Sequence, residues 1–179
     1  MTTSLHRDAF LQRLLHERDK FELLLNRIGF SRRMTMKGVV GTWSIKDIIA
    51  QVWAYEQHVA DRLSELAQNE PYTPAQTYPA LDTFCNEFGY PDFGAPLLSA
   101  EEAQGWVYEH YKNVALEEIV VQELQAFNSI VALLEKLPNE TLQRHDVLTQ
   151  VAGHTYLRYR SHIRDIKVWL TTNAMNLKE

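Results

Sequence analysis

Between residues 4 and 29, apolar side chains return every three or four positions at Phe10, Leu14, Phe21, Leu24, Leu25 and Ile28, with Arg, Asp, Glu and Lys between them. That spacing gathers them on one face of an α-helix. Ser4 is the expected N-cap, and Gly29 stands where a left-handed residue ends a helix. Residues 31–41 are polar and marked by glycines, which predicts a connection. A second helix, residues 44–68, opens at Ser44-Ile-Lys-Asp47, a start resembling a capping box with an acid in its first turn. Ile45, Ile48, Ile49, Val52, Val59, Leu63 and Leu66 make its apolar stripe. At roughly 100° per residue, Glu56 falls inside that stripe, and Gln51, Tyr55, His58 and Arg62 form a polar stripe beside it. A mixed edge of this kind suits a cleft between helices better than a solvent face.

Residues 69–98 have a different character. Pro71, Pro74, Pro79, Pro91 and Pro96 are mixed there with Tyr72, Tyr78, Phe84, Phe88, Tyr90 and Phe93. Pro-rich sequence breaks helices, whereas the aromatic content predicts a packed cover with room for a short helix at 80–88. Ser99-Ala-Glu-Glu102 is a second capping box and opens a third helix over 99–137, with a candidate break near residue 113 and a stop at Pro138. The fourth helix runs over 147–171, with Leu148, Ala152, Tyr159, Ile163, Ile166 and Leu170 on one face; Arg158 and His162 lie one turn apart beside it. No segment carries a strand period. The expected fold is all-α, an antiparallel four-helix bundle with a long aromatic, Pro-rich connection between the second and third long helices.

Size and charge narrow the functional classes. At 179 residues the chain is expected to form a single domain, residues 1–179, with a full core. Its net charge of −5 argues against nucleic acid as the main partner. No stretch approaches the roughly 20 apolar residues of a membrane span. The N-terminus lacks the apolar run of a signal peptide, and the lone Cys85 suits a reducing compartment. Cytoplasmic localisation is expected.

Two sequence blocks carry a resemblance. The first is Gly41-Thr-Trp43-Ser44-Ile-Lys-Asp47-Ile-Ile-Ala50 with Trp53-Ala-Tyr55-Glu56. The second is Gly153-His-Thr-Tyr156 with Tyr159-Arg-Ser-His162-Ile-Arg-Asp165-Ile-Lys-Val-Trp169. Together they resemble the DinB/YfiT-like superfamily of bacterial four-helix bundles over nearly the whole chain. That resemblance implies a homodimer. It also implies a divalent metal, nickel or zinc, held by three histidines on the second and last helices. The matching positions here are Gln51, Arg158 and His162, so only His162 is retained. An amide oxygen is a poor ligand for such a metal, and a guanidinium cannot ligate. The expectation is therefore a bundle without the family's metal, the alternative being nickel or zinc bound through His162.

The expected site is the cleft between the second and fourth long helices. Arg158 is read as the cation replacing the metal, held by Glu56 or Gln51 and offering its remaining donors to an anionic or carbonyl-bearing ligand; a closed internal ion pair is the competing reading. Gln51, Glu56, Arg158 and Tyr159 are the ligand-binding candidates. His162 and Tyr55 are the catalytic candidates, His162 because an imidazole suits general-base work. Each is equally readable as a packing residue. Cys85 has no neighbouring base to activate it. Two functions remain open: a small-molecule-binding bundle protein, or a divergent enzyme acting on small electrophiles through a metal or a thiol.

Overall fold

The computed structural model describes the backbone of residues 2–30, 32–175 and 177, and side chains from His6 onward. Its helices are α1 (Thr2–Ile28), α2 (Ile45–Ala67), α3 (Tyr78–Phe88), α4 (Ala100–Tyr111), α5 (Leu116–Lys136), α6 (Asn139–Arg144), α7 (Val147–His154) and α8 (Tyr156–Thr172), with a 3-10 turn at Arg32–Thr35. Among the described residues there is no strand, only an isolated bridge between Val40 and Trp43. The fold class is all-α with four-helix-bundle architecture, its long helices being α1, α2, α5 and α8.

The helix signals in the sequence act largely as their chemistry dictates. Asp47 N–H donates to Ser44 Oγ at 3.2 Å, and Ser44 N–H donates back to Asp47 Oδ2 at 2.8 Å, closing the capping box of α2. Lys37 Nζ reaches the same carboxylate oxygen at 2.7 Å. Ser99 caps α4 by accepting from Glu102 N–H at 3.1 Å. Gly29 takes φ +76° after α1, the left-handed residue expected there. Ser4, expected as an N-cap, instead lies inside α1, which already begins at Thr2.

Two of the expected helices are interrupted. The third breaks between Tyr111 and Leu116, at the candidate point. The fourth was expected to be continuous over 147–171, but it divides at Thr155 (φ −122°, ψ −101°) into α7 and α8. Thr155 is fully buried, and its hydroxyl donates to Val151 O at 2.7 Å. Its amide turns to Ala152 O at 3.3 Å instead of the carbonyl four residues back. The β-branched hydroxyl residue thus competes locally with the helix ladder, following Gly153. The segment after Pro138 is helix α6.

The chain divides into two compact units, Met1–Ile48 with Pro138–Glu179, and Ile49–Leu137. In the first, α1 packs against α8 through Phe10 on Tyr156 and Phe21 on Tyr159, and Arg160 donates to Glu17 at 2.9 Å. In the second, α5 buries Ile119, Ala126, Phe127, Ile130 and Leu134, the face its periodicity predicts. The same unit holds most of α2 and the whole 69–98 connection. Within that connection α3 is set by a Thr77 cap accepting from Ala80 N–H, Pro79 in the first turn, and Gly89 at φ +76°.

Candidate functional site

Gln51 lies one turn before the adjacent Tyr55 and Glu56 on α2, and all three are buried in the Ile49–Leu137 unit. Gln51 is 2% exposed, and its amide nitrogen donates to Gln104 O of α4 at 2.8 Å. Its Oε1 is buried and accepts no hydrogen bond among the described residues, an arrangement native interiors rarely tolerate without a purpose. Tyr55, 3% exposed, stacks under Phe93 with ring centroids 3.9 Å apart and planes 19° apart. Gln104 Nε2 stands 3.5 Å from its hydroxyl.

Arg158, Tyr159 and His162 belong to the other unit and share a face of α8. Tyr159 is fully buried against Phe21, with the Arg18 guanidinium 5.7 Å from its ring. Arg158 and His162 are half-buried. Burial, and then the charge of Arg158, push the His162 pKa down to about 4, so the ring is neutral at neutral pH. Its Nδ1 is buried without a hydrogen-bond partner among the described residues. The six expected residues therefore fall into two sets of three, one in each unit.

A further cluster in the Ile49–Leu137 unit was only half legible. His58 and Arg62 belong to the polar stripe of α2, and the 69–98 connection folds onto both. Asp92 is fully buried and acts as a hub. It accepts from the Tyr72 hydroxyl, from Ala75 N–H at 2.9 Å and from Gly94 N–H at 3.2 Å, and His58 Nε2 stands 3.6 Å away. Burial alone would raise the Asp92 pKa; His58, Tyr72 and the two amides together override it and bring the value down to about 2. Burial also holds His58 below its ordinary value, against the opposing pull of Asp92.

One turn further along α2, the Arg62 guanidinium lies 4.4 Å from the Tyr72 ring centroid, 5.2 Å from Phe88 and 5.4 Å from Phe84. Its Nη2 also pairs with Glu65 at 2.7 Å. Beside it the Tyr90 hydroxyl donates to Asp61. The signal for this cluster was present in two places. One was an arginine and a histidine on a helix edge facing an aromatic-rich segment; the other was Asp92 in the turn-forming Pro91-Asp-Phe-Gly94, where a carboxylate readily takes backbone donors.

A solved structure shares this fold. It is an uncharacterised protein from Escherichia coli UTI89, similar with a TM-score of 0.68 at 15% identity over 96% of each chain. No family model matches the chain, and no curated protein does.

The donor set does not fit a divalent metal. At the three expected ligand positions, Gln51 offers one amide oxygen, Arg158 carries a fixed positive charge, and only His162 offers an imidazole. Among the described residues no group of three or more His, Cys, Asp or Glu side chains is placed to hold a metal ion. Cys85 is half-buried, and burial followed by the charges of Asp82 and Asp92 pushes its thiol up to about 11. It is not an activated nucleophile. No described helix is long and apolar enough to cross a membrane.

Proposed function

We propose that the protein is a small-molecule-binding bundle of the DinB/YfiT-like kind that works without the superfamily's metal, its ligand-binding candidates being Gln51 and Glu56 in one unit and Arg158 and Tyr159 in the other, each pair taken within its own unit. The observation that carries this reading is Gln51 Oε1, a buried acceptor with no donor among the described residues, on a side chain whose nitrogen is already engaged by Gln104. Such an atom stabilises a molecule that brings its own N–H or O–H. In the other unit Arg158 is a permanent cation, which favours a ligand that carries a carboxylate or a polarised carbonyl. By the same resemblance the protein acts as a homodimer.

The test is elemental analysis of protein purified without a histidine tag, followed by a thermal-shift screen against nickel, zinc, low-molecular-weight thiols and small carboxylates. Metal-free protein stabilised by a carboxylate, with the effect lost in Arg158→Met, is the expected result. Stoichiometric nickel or zinc, or an Arg158→Met variant that binds as well as the wild type, would sink it.

The second reading, a divergent enzyme acting on small electrophiles, is favoured by the neutral His162 ring, whose Nδ1 has no hydrogen bond among the described residues. An imidazole in that state accepts a proton from water or a thiol; the Tyr55 hydroxyl is the alternative group for that assistance. Conjugation of a low-molecular-weight thiol to an electrophile, accelerated by the protein and abolished in His162→Gln or in Tyr55→Phe, would establish that activity.

A further inference from the structure

The Asp92 hub ties two distant parts of the connection together. Tyr72 and Ala75 stand at its beginning and Gly94 near its end, and all three donate to one carboxylate. The residue after Asp92 is Phe93, whose ring covers Tyr55. Phe93 is half-buried and Gly94 is exposed, so the ring forms a cover one side chain thick. Tyr55 beneath it is 3% exposed. A molecule meeting that face of Tyr55 has to take the place of the Phe93 ring.

The rest of the connection is held separately. Arg62 sits among Tyr72, Phe84 and Phe88, and the Tyr90 hydroxyl is bonded to Asp61, which anchors α3 and its flank to α2. The turn that follows is bonded mainly within itself, Ala95 N–H to Asp92 O at 3.0 Å and Leu98 N–H to Ala95 O at 3.2 Å. The segment therefore has one part anchored through Arg62 and Tyr90, and one part tied back to Tyr72 and Ala75 at the Asp92 carboxylate, with the Phe93 ring packed on Tyr55 and His58.

We propose that Asp92 is a latch and Phe93 the gate it holds. With the latch made, the ring covers Tyr55. With it broken, the turn over residues 91–98 swings away while α3 stays in place, and Tyr55 opens to a small molecule. The functional meaning of the gate rests on the reading of Tyr55 as a group that meets the ligand; the motion itself does not.

N-Acetylimidazole, a small reagent that acetylates accessible tyrosine hydroxyls, tests this on the full chain with peptide mass spectrometry as the readout. Tyr159, fully buried in the other unit, is the internal reference. A charge-assisted hydrogen bond contributes enough that its loss raises the open population about tenfold or more. Asp92→Asn and Tyr72→Phe are expected to speed acetylation of Tyr55 by that factor while Tyr159 keeps its wild-type rate. Phe93→Ala, which removes the gate and leaves the latch, is expected to do the same. If Asp92→Asn fails to fold, the other two variants carry the test.

An unchanged Tyr55 rate in Tyr72→Phe and Phe93→Ala overturns the proposal. So does a Tyr159 rate that rises in step with Tyr55, because the opening would then be global. No ligand enters this experiment, so the gate and the binding reading fail independently. A protein that acetylates as expected yet binds nothing in the thermal-shift screen keeps its gate and loses the function proposed above.

Discussion

Phe21 and Tyr159 lie face to face, their ring planes 2° apart and their centroids 5.3 Å apart, joining α1 to α8. Both are almost wholly removed from solvent. A stacked aromatic pair contributes about 0.5–1.5 kcal/mol beyond its buried area, and deleting a buried Phe side chain costs about 3–5 kcal/mol. Phe21→Ala is therefore expected to lower the unfolding free energy by about 3–5 kcal/mol in a urea titration. Phe21→Leu, which keeps most of the volume and loses the stack, is expected to cost much less. Equal losses in the two variants would show that ring geometry, not volume, dominates the contact.

His162 makes stability depend on pH with a definite sign. Its pKa in the folded protein is about 4, against an ordinary value of 6.5, because burial and then Arg158 disfavour the charged ring. Above pH 6.5 both folded and unfolded chains hold it neutral and its contribution is fully present. As pH falls from 6.5 towards 4 the unfolded chain takes up a proton that the folded one refuses, so stability is lost, by at most about 3 kcal/mol. Below pH 4 no more is lost. His162→Gln is expected to remove this component. The stability difference between variant and wild type, measured by urea unfolding at pH 7 and again at pH 4.5, should shift in the variant's favour at the lower pH. A constant difference would mean that the ring is not shielded from water.

The helices were legible because their signals are local. The Ser44–Asp47 and Ser99–Glu102 boxes and the apolar periodicity of residues 116–134 need nothing from the rest of the chain to be read. The division at Thr155 was not legible, since it turns on a threonine hydroxyl taking the Val151 carbonyl, and Thr155 looks from sequence like any residue on the edge of a helix. The polar stripe of α2 was seen, but what its residues meet was not. Gln51 turned out to bond the backbone of α4, and Arg62 the aromatic rings of the connection, both contacts between residues far apart in sequence. Asp92 was missed altogether. Periodicity does not reveal which carboxylate in a long connection will be buried, and the hub exists only once Tyr72, Ala75 and Gly94 have been brought together.

Gly94 owes its identity to a close approach. Its φ does not lie in the left-handed region; instead a side chain there would collide with the Tyr72 hydroxyl. Gly94→Ala would force that hydroxyl off Asp92 or shift the turn, and overpacking of this kind costs about 1–3 kcal/mol. A loss in that range is expected on urea unfolding. In the double variant with Tyr72→Phe, which lacks the offending oxygen, the further cost of the alanine is expected to shrink. Strict additivity of the two substitutions would show that the alanine acts elsewhere.

Asp92 makes stability depend on pH with the same sign as His162 but in a more acidic window. Its pKa falls from an ordinary 3.8 to about 2 because the donors around it outweigh the effect of burial. Its stabilisation is therefore complete above pH 3.8 and is lost as pH drops through 2, a total of about 2 kcal/mol. His162 has already reached its plateau near pH 4, so the two contributions separate along the pH axis. Asp92→Asn keeps the shape but replaces one acceptor oxygen with an amide that faces donors. It is expected to be less stable than the wild type at pH 7 and to lose no more below pH 3.8 through this position. In urea titrations at pH 4 and 2.5 the gap between the two proteins should narrow at 2.5; between pH 7 and 4 it also carries the loss of the Asp92 pull on His58. A gap of the same size at pH 2.5 would mean that the carboxylate is not held ionised by Tyr72 and the two amides, and that its neighbours stabilise the fold by shape alone.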